Sequence, residues 1–596
     1  LSNNFPSLIQ VEKESIEAII KNLNGKKAPG NDAISNKMIQ TAAPHIVPIL
    51  CNIFNACLSL SYFPRAWRIA TIKILQKPYR SNYNDPKSYR PISLTSNLGK
   101  IFERVINNEL LQHYINNNIF SVHQHGFLPK RSTITALREI VDNALRLRQS
   151  HRVALLSIDI SGAFDNAWHP AIIKTLDQDN APRCLVNIIS SYLQERSVEL
   201  RFSNFSYSKS INRGCPQGGI FSPLLWNVLI NDFLRNFNLE FATPVAYADD
   251  ITFVVWADNV HSLHDNLMTC FRVASKWCQS CKLALSTNKT VLLHLHNDIR
   301  FSLHLEDVEI QPSSSIRILG VHISNHRKKS KLNVSSHVDF IIERTIKIKN
   351  ALFSLCARTW GIDSKKRLII YKAAIRPILS YASDIWYPHL TARQRGKLES
   401  VQYQLITRCV FAYKGSASND VNILASILHL SDYLDLQQSK SRMRRSFFNN
   451  NSSTEFSLPS VYIKATLSQF EANYHRLKIA SYLYNASNSL REFFPFALPS
   501  HVIPNQYTTL FFTGHGPFKS FLFKIGKSDN PFCECGRDVE SAIHLITSCP
   551  ITSHYIAGYF ALPIDPFYYT ISNEAYNKFT IVCKLIYNNI LVKRLN

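Results

Sequence analysis

The chain has 596 residues, of which 67 are Lys or Arg and 42 are Asp or Glu, so its formal net charge is +25. Hydrophobic residues make up 45% and charged residues 18%, which excludes a disordered polyelectrolyte. The length predicts about three or four domains, each with a core of its own. The positive charge indicates a polyanionic partner, with nucleic acid the first expectation and an anionic membrane surface the second.

Three features argue against a membrane or secreted protein. The stretch 46–63 is interrupted by Pro48, Asn52 and Asn55, so we expect no apolar run of the ~18–20 residues that span a bilayer. The N-terminus lacks the basic start and apolar block of a signal peptide. Thirteen cysteines are too few for a disulfide scaffold. We therefore expect an intracellular protein of the nucleus or cytoplasm, not secreted and without a membrane partner.

The first half of the chain alternates helical and β-rich segments. Residues 11–24 carry apolar side chains at helical spacing and precede the breaker run 25–32. The strand-like segments are RVALLSIDI (152–160), VELRFSN (198–204), VAYADDITFVVW (245–256), VLLHLH (291–296) and IRILGVHIS (316–324). This alternation predicts an α+β fold with a mostly antiparallel sheet, covered by helices on one side.

After about residue 325 the sequence is helix-forming and strongly basic. Between Arg317 and Ala412, 18 Lys and Arg stand against 5 Asp and Glu, a net charge of +13. Taken alone, such a run is typical of a solvated helical face. A further basic cluster comprises Lys440, Arg442, Arg444 and Arg445. Residues 446–460 have the composition of a polar linker.

The strongest chemical signal is the tetrad Tyr247-Ala248-Asp249-Asp250, which lies between two apolar β-branched runs, as at the tip of a hairpin. Adjacent carboxylates repel each other unless a divalent cation neutralises them. By itself an Asp pair at a hairpin is usually turn chemistry.

A second acidic strand end favours a metal site. Asp159 ends an apolar strand just before a helix, where a carboxylate without a ligand costs free energy. Asp159 and Asp249 together supply ligands for two Mg²⁺ ions about 3.5–4 Å apart, an arrangement suited to phosphoryl transfer. We interpret Asp165 as a structural residue that caps the nearby helix.

Eight motifs then occur in a distinctive order. They are Lys26–Asp32, Ser88–Leu94, His125–Phe127, Asp159–Asp165, Gly214–Gly219, Tyr247–Asp250, Leu285–Thr290 and Leu319–Val321. This order resembles the reverse transcriptase of non-LTR (LINE-type) retrotransposons, in particular the jockey-like elements of arthropods, over residues 11–412 and again over 506–550. The resemblance implies a right-hand polymerase with fingers, a palm with an antiparallel sheet, and a helical thumb, followed by a small Cys/His zinc-binding module.

The implied domains follow this order. They are an N-terminal extension (1–57), fingers and palm (58–324), a basic helical thumb (325–430), a linker or connection (431–505), a Cys-rich CCHC-type module (506–560) and a C-terminal tail (561–596). The thumb cations would then hold the phosphates of an RNA–DNA duplex.

The resemblance also implies roles for single residues. Asp159, Asp249 and Asp250 match the catalytic triad that binds two Mg²⁺ ions. Phe164 matches the aromatic residue that excludes a ribose 2′-hydroxyl, although outside this context it would be a core residue. Gln217, in a Pro-Gln-Gly turn, is similar to the residue that lies against the incoming nucleotide.

Three basic residues match positions that handle phosphates. Lys77 and Arg90 resemble the residues that hold the triphosphate. Lys289 matches a lysine that protonates the departing pyrophosphate, or alternatively it only neutralises local charge.

Leu319 and Gly320 fall in a hairpin similar to the primer grip. At Gly219–Phe221 the sequence departs conservatively from the family pattern, which leaves the carboxylates untouched.

The C-terminal Cys/His cluster has the spacing C-x-C-x8-H-x4-C and comprises Cys533, Cys535, His544 and Cys549. Three thiolates and one imidazole fill a tetrahedral Zn²⁺ shell, which indicates a structural rather than a catalytic site. Because the first spacing is short, buried cysteines without a metal remain the alternative. Cys278 and Cys281 lack a second pair nearby, and we interpret them as core packing.

The leading hypothesis is an RNA-directed DNA polymerase that extends a DNA primer on an RNA template with dNTPs. A catalytically inactive RNA-binding remnant of a transposon and an intron-maturase-type enzyme are the alternatives. The intact triad argues against the inactive remnant, and the Cys-rich tail argues against the intron-maturase-type enzyme. No endonuclease is expected upstream of residue 11 and no RNase H module within 413–505. Since the first residue is Leu, we expect the chain to be a fragment.

Overall fold

The computed structural model describes residues 9–78, 82–202, 205–305, 308–354, 360–449 and 460–594. The chain divides into two compact units, Leu1–Leu332 and Asn333–Asn596. The first unit mixes helices and strands, and the described part of the second is built from helices. The predicted α+β class is therefore confirmed. Most of the predicted linker 446–460 lies outside the described residues.

The elements of the first unit are numbered in chain order. Its described helices are α1 (Lys13–Lys21), α2 (Asn36–Ser59), α3 (Asn97–Asn116), α4 (Thr133–Leu147), α5 (Ala163–Asn166), α6 (His169–Gln178), α7 (Arg183–Leu193), α8 (Ser222–Asn236) and α9 (Val260–Ser280). Its described strands are β1 (Ile69–Gln76), β2 (Tyr89–Leu94), β3 (Arg152–Asp159), β4 (Arg196–Phe202), β5 (Phe205–Ile211), β6 (Ala242–Tyr247), β7 (Asp250–Ala257), β8 (Val291–His294), β9 (Leu303–Leu305), β10 (Val308–Ile310), β11 (Ser315–Ile318) and β12 (Val321–Ser324).

A four-stranded sheet in the order β6-β7-β3-β8 forms the centre of the first unit, and all its strand pairs are antiparallel. Consecutive residues of β3 and β7 are buried, and both α4 and α9 contact these two strands. Strands with this burial pattern are covered on both faces. The expectation of helices on one side only is therefore wrong, because strands this apolar on successive residues leave no face suited to water.

A second four-stranded sheet has the order β2-β1-β4-β5. Strand β1 pairs antiparallel with β2 and parallel with β4, and β4 forms a hairpin with β5. The predicted strand at 198–204 is β4, which begins two residues earlier. The remaining predicted strands at 152–160, 245–256, 291–296 and 316–324 correspond to β3, the β6–β7 hairpin, β8 and the β11–β12 hairpin.

Among the described residues, one helix has the length and apolar composition needed to cross a membrane. This helix is α2. This corrects the expectation drawn from 46–63, because the helix continues through Pro44 and Pro48 rather than breaking there. Its buried residues include Leu50 and Phe54, and it packs against α1, α3 and α7. The core helices of soluble proteins share this composition, so the finding is weak support for a membrane span.

The second unit is helical from its first described element onward. Its described helices are α10 (Ser335–Ser354), α11 (Ser364–Ile370), α12 (Arg376–Ser380), α13 (Ser383–Trp386), α14 (Ala392–Cys409), α15 (Ser418–Ala425), α16 (Leu430–Asn449), α17 (Ser460–Tyr484), α18 (Asn488–Phe493), α19 (Thr508–Thr513), α20 (Lys519–Lys524), α21 (Ala542–Thr547), α22 (Ser553–Ala557) and α23 (Asn573–Ile586). Helix α23, in the segment expected to be a tail, packs against α19 and α22. The predicted domain boundaries stay predictions.

Candidate active site

Three carboxylates meet at one end of the central sheet. Strand β3 ends at Asp159, whose partner in the register of β7 is Asp250. Ala248 and Asp249 form the turn between β6 and β7, and Ala248 has a φ of 57°. The predicted hairpin is thus present, with Asp250 already in the strand. Pairing of β3 with β7 brings together acidic residues that are far apart in the sequence.

The charges in this cluster perturb one another. Burial and then the charges of Asp249 and Asp159 raise the pKa of Asp250 to about 6. The pKa of Asp249 is also raised, mainly by burial and further by Asp159. A site made of carboxylate oxygens whose negative charges oppose each other suits a hard divalent cation such as Mg²⁺.

Lys289 contacts this cluster directly. Its ammonium donates a hydrogen bond to Oδ2 of Asp159 at 2.6 Å. The backbone N–H of Ser286 donates to the carbonyl of Asp159 at 2.8 Å, which fixes the 3-10 turn Thr287–Lys289 to the end of β3. Of the two roles considered for Lys289, this contact corresponds to neutralising local charge.

Gln217 and Asp165 form a second polar pair. The Gln217 side-chain amide donates to Oδ1 of Asp165 at 2.8 Å. Asp165 lies inside α5, whose N-cap is Gly162 in the left-handed region, with no side-chain cap. The interpretation of Asp165 as a helix cap is therefore wrong, because the carboxylate is turned toward the Pro-Gln-Gly loop instead. Burial is the main cause that raises its pKa.

The loop that carries Gln217 is held at several points. The Gln217 carbonyl accepts a hydrogen bond from the Ser93 backbone N–H at 2.8 Å. The carboxylate of Glu103, 1% exposed, accepts from the backbone N–H groups of Ile220 at 2.8 Å and Phe221 at 3.3 Å. A carboxylate at these N–H groups satisfies donors that would otherwise be unpaired at the start of α8. The sequence offered no signal for Glu103, because its partners are more than a hundred residues away.

Phe164 is half-buried beside the same loop. Its backbone carbonyl accepts from the Cys215 N–H at 2.7 Å. Its ring packs against Trp226 with centroids 5.6 Å apart, and the ring of Phe127 meets it edge-on at 6.2 Å. The aromatic contacts fix the orientation of the ring, and its partial exposure leaves part of the surface accessible.

The two predicted triphosphate-binding residues differ in their surroundings. Lys77 follows the end of β1, its ammonium donates to the Lys87 carbonyl at 3.0 Å, and its charge acts on Asp165. Arg90 is exposed on β2 opposite Leu75, and its side chain makes no hydrogen bond or ion pair within the described residues. Lys77 therefore lies near enough to Asp165, the partner of Gln217, for its charge to lower the pKa of that carboxyl.

The motif His125–Phe127, to which we assigned no role, lies against the catalytic turn. The His125 N–H donates to the Ala246 carbonyl at 2.8 Å, and the Ala246 N–H donates to the His123 carbonyl at 2.9 Å. A Cβ on Gly126 would overlap the backbone nitrogen of Ala248. Only glycine allows the two backbones to approach this closely, so the motif supports the turn that bears Asp249.

A single carboxylate on α4 holds this supporting loop. Glu139 contacts Nδ1 of His123 at 2.5 Å and Nε2 of His125 at 2.6 Å. Hydrogen bonds from the two imidazoles lower the pKa of Glu139 to about 2, against the opposing effect of burial. The loop beside the catalytic turn is thus tied to a helix that packs on the central sheet.

The Cys/His cluster assembles in the second unit. One ligand atom from each of Cys533, Cys535, His544 and Cys549 lies within 4.8 Å of all the others. The Sγ atoms of Cys533 and Cys549 are 3.6 Å apart, too far for a disulfide, and Sγ of Cys535 lies 3.2 Å from Nε2 of His544. The set of thiol and imidazole donors, with Nδ1 of His544 turned toward Ser548 Oγ at 3.2 Å, fits a tetrahedral metal ion.

Two further predictions concern packing and a hairpin. Cys278 and Cys281 are both buried in the hydrophobic core around α9, which confirms their interpretation as packing residues. Leu319 and Gly320 form the turn of the β11–β12 hairpin, with φ values of 45° and 88°. The hairpin is present where the sequence placed it.

Residues 76–323 match the family of reverse transcriptases, described as RNA-dependent DNA polymerases. This span contains Asp159, Asp249 and Asp250 together with the Gln217 loop. The chain therefore contains a reverse transcriptase domain, and its relatives are proteins of non-LTR retrotransposons. The resemblance seen in the ordered motifs is confirmed.

Two of the similar proteins belong to mobile elements of flies. The chain is 26% identical over 91% of its length to the Retrovirus-related Pol polyprotein from type-1 retrotransposable element R1 of Bradysia coprophila, and covers 54% of that protein. It is 27% identical over 64% of its length to the RNA-directed DNA polymerase from mobile element jockey of Drosophila melanogaster, covering 42% of it. The chain thus spans about half the length of the curated relatives it matches. A structure of telomerase from Candida albicans has a TM-score of 0.37 at 11% identity, with 72% of this chain and 63% of that chain covered.

The close approach at Gly126 generates a prediction. In Gly126→Ala the added methyl group must displace Ala248 and with it Asp249, so the rate of primer extension should fall by about 100-fold. The measurement is single-turnover extension of a DNA primer on an RNA template, with a thermal melt to show that the protein is folded. Gly396→Ala is the control, because a Cβ there meets nothing within 4 Å. A wild-type rate in Gly126→Ala would show that the motif does not position the turn.

Proposed function

We propose that this protein is an RNA-directed DNA polymerase that extends the 3′-hydroxyl of a DNA primer with dNTPs on an RNA template. The observation that carries the proposal is the register of β3 and β7, which sets Asp159 opposite Asp250 beside Asp249 within a reverse transcriptase domain. The net charge of +25 supports nucleic-acid substrates. Thirteen cysteines in 596 residues are too sparse for a disulfide scaffold, which supports a site of action inside the cell.

Each residue of the candidate active site has a separate role in the proposed nucleotidyl transfer. Asp159, Asp249 and Asp250 would hold two Mg²⁺ ions, which when bound supply charge stabilisation for the attacking and leaving oxygens. Lys289 neutralises part of the charge on Asp159 and holds that carboxylate in one orientation. Asp165 orients the Gln217 amide, and the Gln217 loop faces the incoming nucleotide. Lys77 supplies a cation for its phosphates.

The metal assignment is tested by Asp249→Asn. An amide keeps the size of the side chain but lacks the negative charge that holds a divalent cation, so primer extension should fall by roughly 100-fold or more. Affinity for the template–primer duplex should change little, since it comes from basic side chains elsewhere. The measurements are extension rate and duplex binding by filter retention.

The control for this variant is Asp258→Asn. Asp258 follows the opposite end of β7, and its side chain is 90% exposed. Removing the negative charge of Asp258 should leave the rate of primer extension unchanged. Near-normal extension in Asp249→Asn would contradict both the metal site and the proposed activity.

We further propose that Phe164 selects deoxynucleotides by steric exclusion. A ring held by Trp226 and Phe127 presents a rigid apolar surface, which leaves room for a C2′ hydrogen but collides with a 2′-hydroxyl. Since Phe has no polar group, the discrimination depends on shape and not on hydrogen bonding.

Phe164→Val should admit ribonucleotides and slow DNA synthesis only modestly. A loss of roughly 2–4 kcal/mol of discrimination corresponds to about 30- to 1000-fold in relative kcat/KM. The measurement is single-nucleotide incorporation of matched dNTP and rNTP pairs, alongside the melting temperature. Phe237→Val is the control, because Phe237 packs against Phe233 and Phe253. A destabilised Phe164→Val that still prefers deoxynucleotides would show that Phe164 is a packing residue.

We propose that the Cys/His cluster binds one structural Zn²⁺ ion. Three thiols and one imidazole leave no open position for catalysis, so the ion would act by stabilising the fold around it. Cys533 and Cys535 lie in a turn and His544 lies in α21, so a bound ion would join the turn to this helix.

Protein purified without chelators should therefore contain about one Zn²⁺ per molecule, and Cys535→Ser should lose it. Removing zinc should unfold the region after about residue 506 and leave the first unit protected, as read by hydrogen exchange, because metal binding supplies folding free energy only locally. Cys184→Ser is the control, since Cys184 lies in α7 outside the cluster. Elemental analysis that finds no zinc would refute the site.

A further inference from the structure

A cleft of about 870 Å³ lies in the second unit, beside the C-terminal halves of α10 and α14. Its volume falls within the roughly 300–1,000 Å³ of pockets that enclose small-molecule ligands. Aromatic and basic side chains line it, and no carboxylate is among the described residues of its lining. None of the residues of the candidate active site contributes to it.

Two aromatic side chains, Trp360 and Phe411, contribute to the lining in different ways. Trp360 is 58% exposed, which is unusual for so large an apolar ring and leaves its face available for stacking. Phe411 is backed by the guanidinium of Arg367, which lies 4.2 Å from the ring centroid. Arg367 is itself buried, and it donates to the carbonyls of Ile362 at 2.7 Å and Arg408 at 3.1 Å. Phe411 and Arg367 are therefore held in place by the protein itself, while Trp360 offers an exposed ring.

The basic part of the lining is not neutralised by the protein. Lys349, Arg408 and Lys414 have no carboxylate partner within the described residues. The ammonium of Lys349 makes only a long hydrogen bond, 3.4 Å, to Oε1 of Gln404. Arg408 lies 5.1 Å over the ring of Phe353. Cations that are left without a counter-charge around aromatic faces fit a ligand with a flat ring and phosphates.

We propose that this cleft binds an unpaired nucleotide of single-stranded nucleic acid. The base stacks on Trp360, and the flanking phosphates contact Lys349, Arg408 and Lys414. A base inside a duplex is stacked on its neighbours and cannot enter, so the cleft prefers single strands over double strands. The inference rests on the proposed function and extends it: the polymerase would hold an unpaired segment of template or displaced strand apart from the paired primer.

The test uses the full chain and three labelled probes of one sequence, namely a 12-nucleotide RNA, the matching single-stranded DNA, and the blunt RNA–DNA duplex. In fluorescence anisotropy, Trp360→Ala should weaken binding of the single strands by about 5- to 150-fold, the effect of losing one stacked base. Duplex binding should change by less than about twofold. The size of the affinity loss for the RNA probe, compared with that for the single-stranded DNA probe, identifies which kind of strand the cleft binds.

Two further variants test the chemistry of the contact. Trp360→Tyr keeps an aromatic face and should retain most of the single-strand affinity. Lys414→Gln should reduce the slope of log K against log salt for single strands by about 0.7, the value for one phosphate contact. Tyr462→Ala and Lys464→Gln on α17 are the matched controls, since both residues are exposed and neither lines the cleft.

The proposal fails if Trp360→Ala binds single strands as Tyr462→Ala does, or if it weakens duplex binding equally. If Trp360→Ala does not fold, the single-strand affinity of Trp360→Tyr and the salt dependence of Lys414→Gln test the proposal instead. A salt slope in Lys414→Gln equal to that of the wild type would overturn it. An acidic peptide as the true occupant would appear as unchanged binding of every nucleic-acid probe. Primer extension separates this inference from the proposed function: the wild type must extend a recessed primer whether or not the cleft binds an unpaired base.

Discussion

The antiparallel pairing of β3 with β7 is the constraint on which the candidate active site depends. It sets Asp159 opposite Asp250 and, through the turn at Ala248, brings Asp249 to the same end of the sheet. Burial, and then the charges of Asp249 and Asp159, raise the pKa of Asp250 to about 6. A divalent cation bound among these carboxylates would relieve the repulsion, which is why the cluster suits the metal site proposed above.

The surrounding loops hold the acidic cluster in position from several directions. Lys289 fixes Asp159, the backbone of Gly126 lies against Ala248, and Glu139 ties that segment to α4. On the other side, Glu103 holds the start of α8 and Asp165 holds Gln217. Groups that are fixed before a substrate binds need little reorganisation during a reaction, so this arrangement suits the activity proposed above.

The two candidate metal sites differ in how the chain builds them. The Asp cluster needs a complete β-sheet, because its ligands come from separate strands. The Cys/His cluster draws its ligands from residues 533–549, a turn and one short helix. The first is therefore a product of the fold, and a metal ion at the second would hold the turn that bears Cys533 and Cys535 to helix α21.

The sequence by itself determined the α+β class, the pairing of Asp159 with the acidic hairpin, the four residues of the Cys/His cluster and the packing of Cys278 and Cys281. These signals are local: an acid that ends an apolar strand, a paired acid at a hairpin, and ligands at metal spacing. The tertiary structure alone decided that helices cover both faces of the central sheet, that Asp165 holds Gln217 rather than capping α5, and that Glu139 bridges two histidines. Such contacts join residues distant in the chain, and side-chain packing sets them rather than local propensity. No periodicity or spacing in the sequence encodes these contacts, because each carboxylate meets its partner only when the helices and loops have assembled.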